Sequence, residues 1–149
     1  MDILKAAGLG LVAGLVGTAA LTLAERLEMA LTGREPSTVP GQVGVKVAGR
    51  EPGANPELVE RLNPVVHWGH GIGLGAARGL LDAAGLGPLA ATLVFYPVVF
   101  GGDAALYRAL GIAPAPWHWS RAELATDLFG KGVLAFATSG AYIALENSV

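Results

Sequence analysis

The stretch NPVVHWGHGIGLGAAR, residues 63–78, decides the fold of this chain. It carries no charged side chain before its final arginine, yet it contains two histidines and a series of glycines. Asn63 is a good N-cap, and Pro64 suits the first position of a helix because the backbone N–H there has no partner to lose. The stretch therefore predicts a membrane-spanning helix that begins at residue 64 and has a polar seam.

The glycines of this stretch recur at a helical interval. Gly71, Gly75 and Gly79 are spaced four residues apart, and Gly10 and Gly14 show the same spacing near the amino end. In lipid, small residues at this interval let two helices approach closely. No strand precedes the glycines and no Lys-Ser/Thr pair follows them, so a phosphate-binding loop is not indicated. We expect these five glycines at helix–helix contacts.

The composition is that of a membrane protein. Of 149 residues, 52% are hydrophobic and 15% are charged, and the mean hydropathy is +0.51. The formal net charge of −2 offers no basic surface for nucleic acid. The absence of cysteine excludes disulfides, thiolate metal sites and cysteine nucleophiles.

Four hydrophobic runs predict four helices, at residues 3–32, 64–84, 88–110 and 121–146. Gly33 suits the carboxyl cap of the first helix, and Ser120 with Glu123 forms a capping box before the fourth. A cleaved signal peptide is the rival interpretation of the first run, but the amino end has no net positive charge. Short connections make neighbouring helices antiparallel. The prediction is a single all-α domain, residues 1–149, folded as an integral membrane antiparallel four-helix bundle.

Residues 33–63 form the predicted extramembrane segment, which is rich in proline and glycine. Ser37 could cap a short surface helix that buries Val39, Val43 and Val47, although alternating valines also fit a strand. Lysine and arginine are concentrated on the side of this segment: Arg26, Arg34, Lys46, Arg50, Arg61, Arg108 and Arg121, against Lys5 and Arg78. This bias predicts a bacterial inner-membrane protein with the loop cytoplasmic and both termini outside.

Three motifs carry a resemblance to a known group of proteins. The segments ERLEMALTGREPSTVP, HWGHG and WSRAELATD resemble uncharacterised small bacterial inner-membrane proteins with four helices. That group has no established activity, so the resemblance implies location and helix number only. Where the pattern has a histidine pair after Phe129, this chain has Gly130 and Lys131, which weakens any histidine-based metal site carried over from it.

Alternating helix directions place several polar residues at one depth. The six residues expected there lie at the end of the first and third helices and at the start of the second and fourth: Glu25, His67, His70, Asp103, Asp127 and Lys131. Charges inside a bilayer are costly and therefore usually pair or mark a pathway. We expect one connected polar cluster in the cytoplasmic third of the bundle, with Asp103 as the counter-charge of Lys131.

Three classes of function remain open. The sequence does not favour an enzyme, since Ser120 is better explained as a cap than as a nucleophile. The leading one is an accessory or assembly protein whose glycine ridges bind a partner membrane protein or copies of itself. The second is a small transporter or proton or cation permeation unit that uses the polar cluster as a vestibule. The third is a metal- or haem-binding membrane protein, with His67 and His70 as weak candidate ligands. Zinc normally requires three or four ligands, so no metal and no cofactor is expected, and the lipid bilayer is the principal partner.

Overall fold

The computed structural model describes residues 2–148, and within that range the chain is helical with no strand. Five α-helices occur along the chain: α1 (Ile3–Thr32), α2 (Val39–Val47), α3 (Pro56–Ala83), α4 (Pro88–Ala109) and α5 (Arg121–Glu146). Two single-turn 3-10 helices, Pro52–Ala54 and Pro116–His118, lie in the connections. The all-α prediction is therefore confirmed.

Three helices in the described part of the chain, α1, α4 and α5, are long and apolar enough to cross a membrane. Their boundaries follow local signals. Gly33 ends α1 in the left-handed conformation with φ of 72°, which glycine adopts without steric penalty. Ser120 and Glu123 form the predicted capping box at the start of α5. Local chemistry at the helix ends thus sets where these segments begin and end.

The predicted start of the second long helix at residue 64 is wrong. Helix α3 begins two turns earlier, with Pro56 in its first turn and Pro64 inside it. Proline suits a first turn, and both positions satisfy that preference, so the sequence alone did not distinguish them. The final part of the predicted 33–63 segment consequently belongs to α3.

Asn63 does not cap a helix but joins two helices. Its side-chain oxygen accepts a hydrogen bond from the backbone N–H of Gly41 at 2.8 Å. Its amide nitrogen donates to the carbonyl of Ser37 at 3.1 Å. These contacts anchor the amino end of α2 against α3 across the chain turn.

Helix α2 is present as predicted, but its buried face differs from the expected one. Thr38 rather than Ser37 occupies the N-cap position. Val45 is completely buried, whereas Val47 is 72% exposed. A Cβ at Gly41 would collide with the Val59 carbonyl group, so only glycine permits this close approach to α3. That contact turns Gly41 and Val45 inward.

Glycines bring α1 and α3 into backbone contact. A Cβ built on Gly14 would lie 2.7 Å from the Ile72 oxygen and 2.8 Å from the Gly71 oxygen. A Cβ on Gly75 would lie 2.6 Å from the Gly14 nitrogen. The remaining predicted glycines also face the opposite helix of this pair: Gly10, Gly71 and Gly79. All five therefore lie at the α1–α3 contact.

Each of the four long helices packs against at least two of the others. Helix α1 packs mainly against α3 and α5, while α4 packs against α5 and, less extensively, against α3. The buried apolar cluster lies where these helices meet, and its members are Leu21, Phe95, Val99, Leu134 and Ala135. We call these five residues the apolar layer.

Candidate functional site

The candidate site is built around Asp103, a carboxylate on α4 that is only 2% exposed. Its Oδ1 lies 2.6 Å from His70 Nε2 on α3. Its Oδ2 lies 2.5 Å from Lys131 Nζ on α5. One carboxylate thus links three helices, through a charge-assisted contact with His70 and an ion pair with Lys131.

Lys131 extends this arrangement along α5. Its ammonium group lies 3.8 Å from Asp127 Oδ1, one helical turn earlier. It also donates to the Tyr107 hydroxyl at 3.3 Å. The second oxygen of Asp127, Oδ2, is buried and has no hydrogen-bond partner within residues 2–148. We call His70, Asp103, Lys131 and Asp127 the acid–base network.

The two ends of the network differ in how far their side chains are exposed at the protein surface. The His70 side chain is 39% exposed, whereas the Lys131 side chain is 14% exposed. The Asp127 side chain is 25% exposed. The imidazole is therefore the member of the network that is most exposed at the surface of the protein.

The charges of the acid–base network do not cancel. Two carboxylates and one ammonium group sum to −1 when His70 is neutral. One proton bound by His70 brings the sum to zero. Uncompensated charge is expensive inside a bilayer, and imidazole is the side chain that ordinarily changes charge between pH 5 and 8. The arrangement is therefore chemically suited to binding one proton.

His67 and Glu25 do not join the network, although the sequence pattern grouped them with it. His67 Nε2 lies 2.9 Å from the Thr22 hydroxyl of α1, which itself donates to the Thr18 carbonyl at 2.8 Å. No hydrogen bond or ion pair connects Glu25 to the network within residues 2–148. The cluster drawn from sequence therefore separates into the acid–base network and an isolated histidine–threonine pair.

The same separation bears on metal binding. Among residues 2–148 there is no group of three or more histidines, aspartates or glutamates placed to hold a metal ion. His67 and His70, the weak candidate ligands, contact different partners on different helices. The geometry gives no support to a shared histidine metal site.

Sequence reasoning missed a second buried charge, Arg78. The side chain is 0% exposed, its Nε donates to the Ser139 hydroxyl at 3.1 Å, and its guanidinium lies 4.7 Å from the centroid of the Tyr142 ring. The Tyr142 hydroxyl in turn donates to Asp82 Oδ2 at 3.3 Å. We call Arg78, Ser139, Tyr142 and Asp82 the arginine cluster.

The arginine cluster leaves part of its cation without a partner. Nη1 and Nη2 of Arg78 are buried and form no hydrogen bond within residues 2–148. Leaving a buried donor unsatisfied costs about 1–3 kcal/mol, and more when the group is charged. The spacing contained a signal for this burial, because Arg78 lies three residues after Gly75 and seven after Gly71, on the face that packs inward.

The apolar layer lies between the two polar regions. On α5, Leu134 and Ala135 come between Lys131 and Ser139; on α3, Leu74, which packs against the layer, comes between His70 and Arg78. The acid–base network and the arginine cluster are therefore separated by packed hydrocarbon side chains.

Comparison with known proteins adds no relative: no protein-family model, no curated protein and no solved structure matches this chain.

Proposed function

We propose that this chain is a multi-pass membrane protein in which the acid–base network binds and passes protons. The observation that carries the proposal is the buried Asp103 carboxylate, in contact with both His70 and Lys131. The ammonium group keeps the carboxylate ionised, so Asp103 can accept a hydrogen bond from a protonated His70 and stabilise the proton on the imidazole. The small permeation unit is therefore the preferred function, ahead of the assembly role favoured by the glycine pattern alone.

The proposal includes four membrane-spanning helices, α1, α3, α4 and α5, arranged as an antiparallel bundle. Helix α3 is more polar than the other three, yet residues 63–77 carry no charge. Two of its most polar side chains, His70 and Arg78, are hydrogen-bonded to other helices. This pairing is what lets a polar helix lie in a bilayer.

We place the protein in a bacterial inner membrane with the loop between α1 and α3 cytoplasmic and both termini outside. The support is the excess of lysine and arginine on the loop side. Because the chain has no cysteine, single cysteines can report its topology. Ser148→Cys should react with an impermeant maleimide on intact cells, and Ser37→Cys only after lysis. The reverse pattern would overturn this orientation.

The function is tested by proton flux in liposomes that contain the purified protein. A pH gradient should dissipate faster than in protein-free liposomes, and His70→Ala should reduce the rate to that of the protein-free control. Two matched histidine variants control for nonspecific effects. His67→Ala removes the separate threonine-bonded histidine, and His118→Ala removes an exposed histidine of the Pro116–His118 turn.

Both control variants should retain flux if the network is the pathway. Circular dichroism and gel filtration establish that each variant is folded before its flux is compared. Wild-type liposomes no more permeable than protein-free liposomes, or a folded His70→Ala variant with unchanged flux, would overturn the proposal.

An accessory or assembly role is the second candidate. It requires a binding surface other than the glycine ridges that the sequence suggested. The five glycines of the α1–α3 contact are occupied within the chain. By contrast, Gly101, Ala105 and Ala109 recur every four residues on an exposed face of α4, a spacing that favours helix association in lipid. If that face binds another helix, Ala105→Leu should abolish cross-linking between chains in native membranes. Unchanged cross-linking would exclude this face.

A further inference from the structure

The terminal nitrogens of Arg78, Nη1 and Nη2, are buried donors without a hydrogen-bond partner among residues 2–148. Arg78 is 0% exposed. Only Nε is used, in the 3.1 Å contact with Ser139. A buried polar group without a partner in a native structure calls for a water or an ion that satisfies it.

The neighbouring side chains stabilise the guanidinium charge without satisfying its donors. Tyr142 presents its ring face at 4.7 Å from the guanidinium carbon, which favours a cation but offers no acceptor in the plane of the N–H groups. Asp82, one helical turn beyond Arg78, accepts from the Tyr142 hydroxyl. The N–H groups of Nη1 and Nη2 are therefore not bonded by these residues and can donate to a ligand.

We propose that Arg78 binds a small oxyanion through Nη1 and Nη2. The planar guanidinium presents parallel N–H groups that match the two oxygens of a carboxylate or phosphate group. An anion supplies the missing acceptors together with an opposite charge in direct contact, whereas water supplies only acceptors. The anion site lies beyond the apolar layer from the acid–base network, and it does not depend on proton transfer by that network.

The packing indicates which side of the site opens. Helix α3 is held to α1 by backbone contacts through glycine, whereas its contact with α5 is much smaller. Ser139 and Tyr142, which cover the guanidinium, both belong to α5. Entry of an anion therefore requires α5 to move away from α3, while α1 and α3 stay together.

Ligand-dependent thermal stability tests this site. The protein, purified without lipid in a neutral detergent, is heated in sodium chloride, sodium acetate or sodium phosphate at matched ionic strength. A ligand that binds only the folded state at about 100 times its Kd should raise Tm by about 5 °C or more. We expect acetate or phosphate to raise Tm above its value in chloride.

Substitutions assign that shift to the guanidinium. Arg78→Met should abolish the anion-dependent shift, while Arg108→Met, which removes an exposed arginine stacked near Trp117, should retain it. Arg78→Lys keeps the charge but lacks the parallel donors, so it should lose most of the shift, and it serves as the second variant if Arg78→Met does not fold.

The same thermal measurement with added lipid identifies the source of the anion. Phosphatidylglycerol is added to the micelles in place of soluble anions, with phosphatidylcholine as the matched lipid. Stabilisation by phosphatidylglycerol alone, lost in Arg78→Met, assigns the site to a lipid phosphate; stabilisation by soluble anions assigns it to a free oxyanion. No shift in any arm, or a shift that persists in the folded Arg78 variants, would overturn the proposal, whatever the proton-flux result.

Discussion

The two polar regions of this molecule bury charge in opposite ways. In the acid–base network, four ionisable groups from three helices contact one another, and Asp103 serves as the common partner. In the arginine cluster, a single cation is equally buried but keeps two nitrogens without a hydrogen bond in the described chain. The first region holds opposite charges in direct contact, whereas the second holds its cation against a ring face and a hydroxyl group. Each region keeps two buried polar atoms without a hydrogen bond in the described chain. Burial of charge alone therefore does not reveal whether a group is there for stability.

Removing one charge from each region should change the free energy of unfolding in different directions, and this is the largest difference we expect. Asp103→Ala leaves Lys131 without its nearest counter-charge and should lower the free energy of unfolding by about 3–5 kcal/mol. Arg78→Met removes two buried donors that have no partner in the described chain, and should leave stability unchanged or raise it by about 1–3 kcal/mol. Unfolding in mixed micelles measures both changes. Equal destabilisation by the two variants would contradict the contrast.

The contrast also requires α3 to be fixed against α1, so that His70 and Arg78 both face inward. Gly14→Leu inserts a side chain where a Cβ already meets the Ile72 oxygen at 2.7 Å, and overpacking of this kind costs about 1–3 kcal/mol or more. Gly8→Leu is the matched control, because a Cβ there meets nothing within 4 Å. Melting temperatures of the two variants should differ clearly. Equal values would mean that the glycine contact does not hold the helices together.

A smaller effect separates the two histidines. Thr22→Val removes the hydroxyl bonded to His67 and should cost about 0.5–1.5 kcal/mol, the net value of one hydrogen bond. Proton flux should not change, because this pair makes no contact with the acid–base network. Comparison of flux and stability for Thr22→Val checks both expectations together. A loss of flux without unfolding would place His67 on the pathway.

The helices were largely predictable because their signals are local. Hydrophobic runs, the Ser120 cap and Gly33 set the bounds of α1 and α5. The start of α3 was not predictable, since Asn63 is engaged by residues of the preceding loop, a contact that exists only in the folded chain.

Depth could be deduced for the site residues, but rotation about each helix axis could not. His67 and His70 are three residues apart, so their rings point in different directions around α3. The His67 ring contacts Thr22 on α1, and the His70 ring contacts Asp103 on α4. Arg78 was counted only among the positive charges on the side of the termini, and no partner was predicted for it. Its position on the glycine-bearing face was the better guide, since that face packs against α1.

The central claim is that His70 gains and loses the proton that passes through the network. The most direct test is ¹⁵N NMR of the histidine rings in a liposome-embedded His67→Gln, His118→Gln variant, in which His70 is the one histidine left of the three. We predict that the His70 ring changes from the charged to the neutral form within the pH range over which proton flux changes. A His70 ring that keeps one charge state across this range while flux varies with pH would contradict the account.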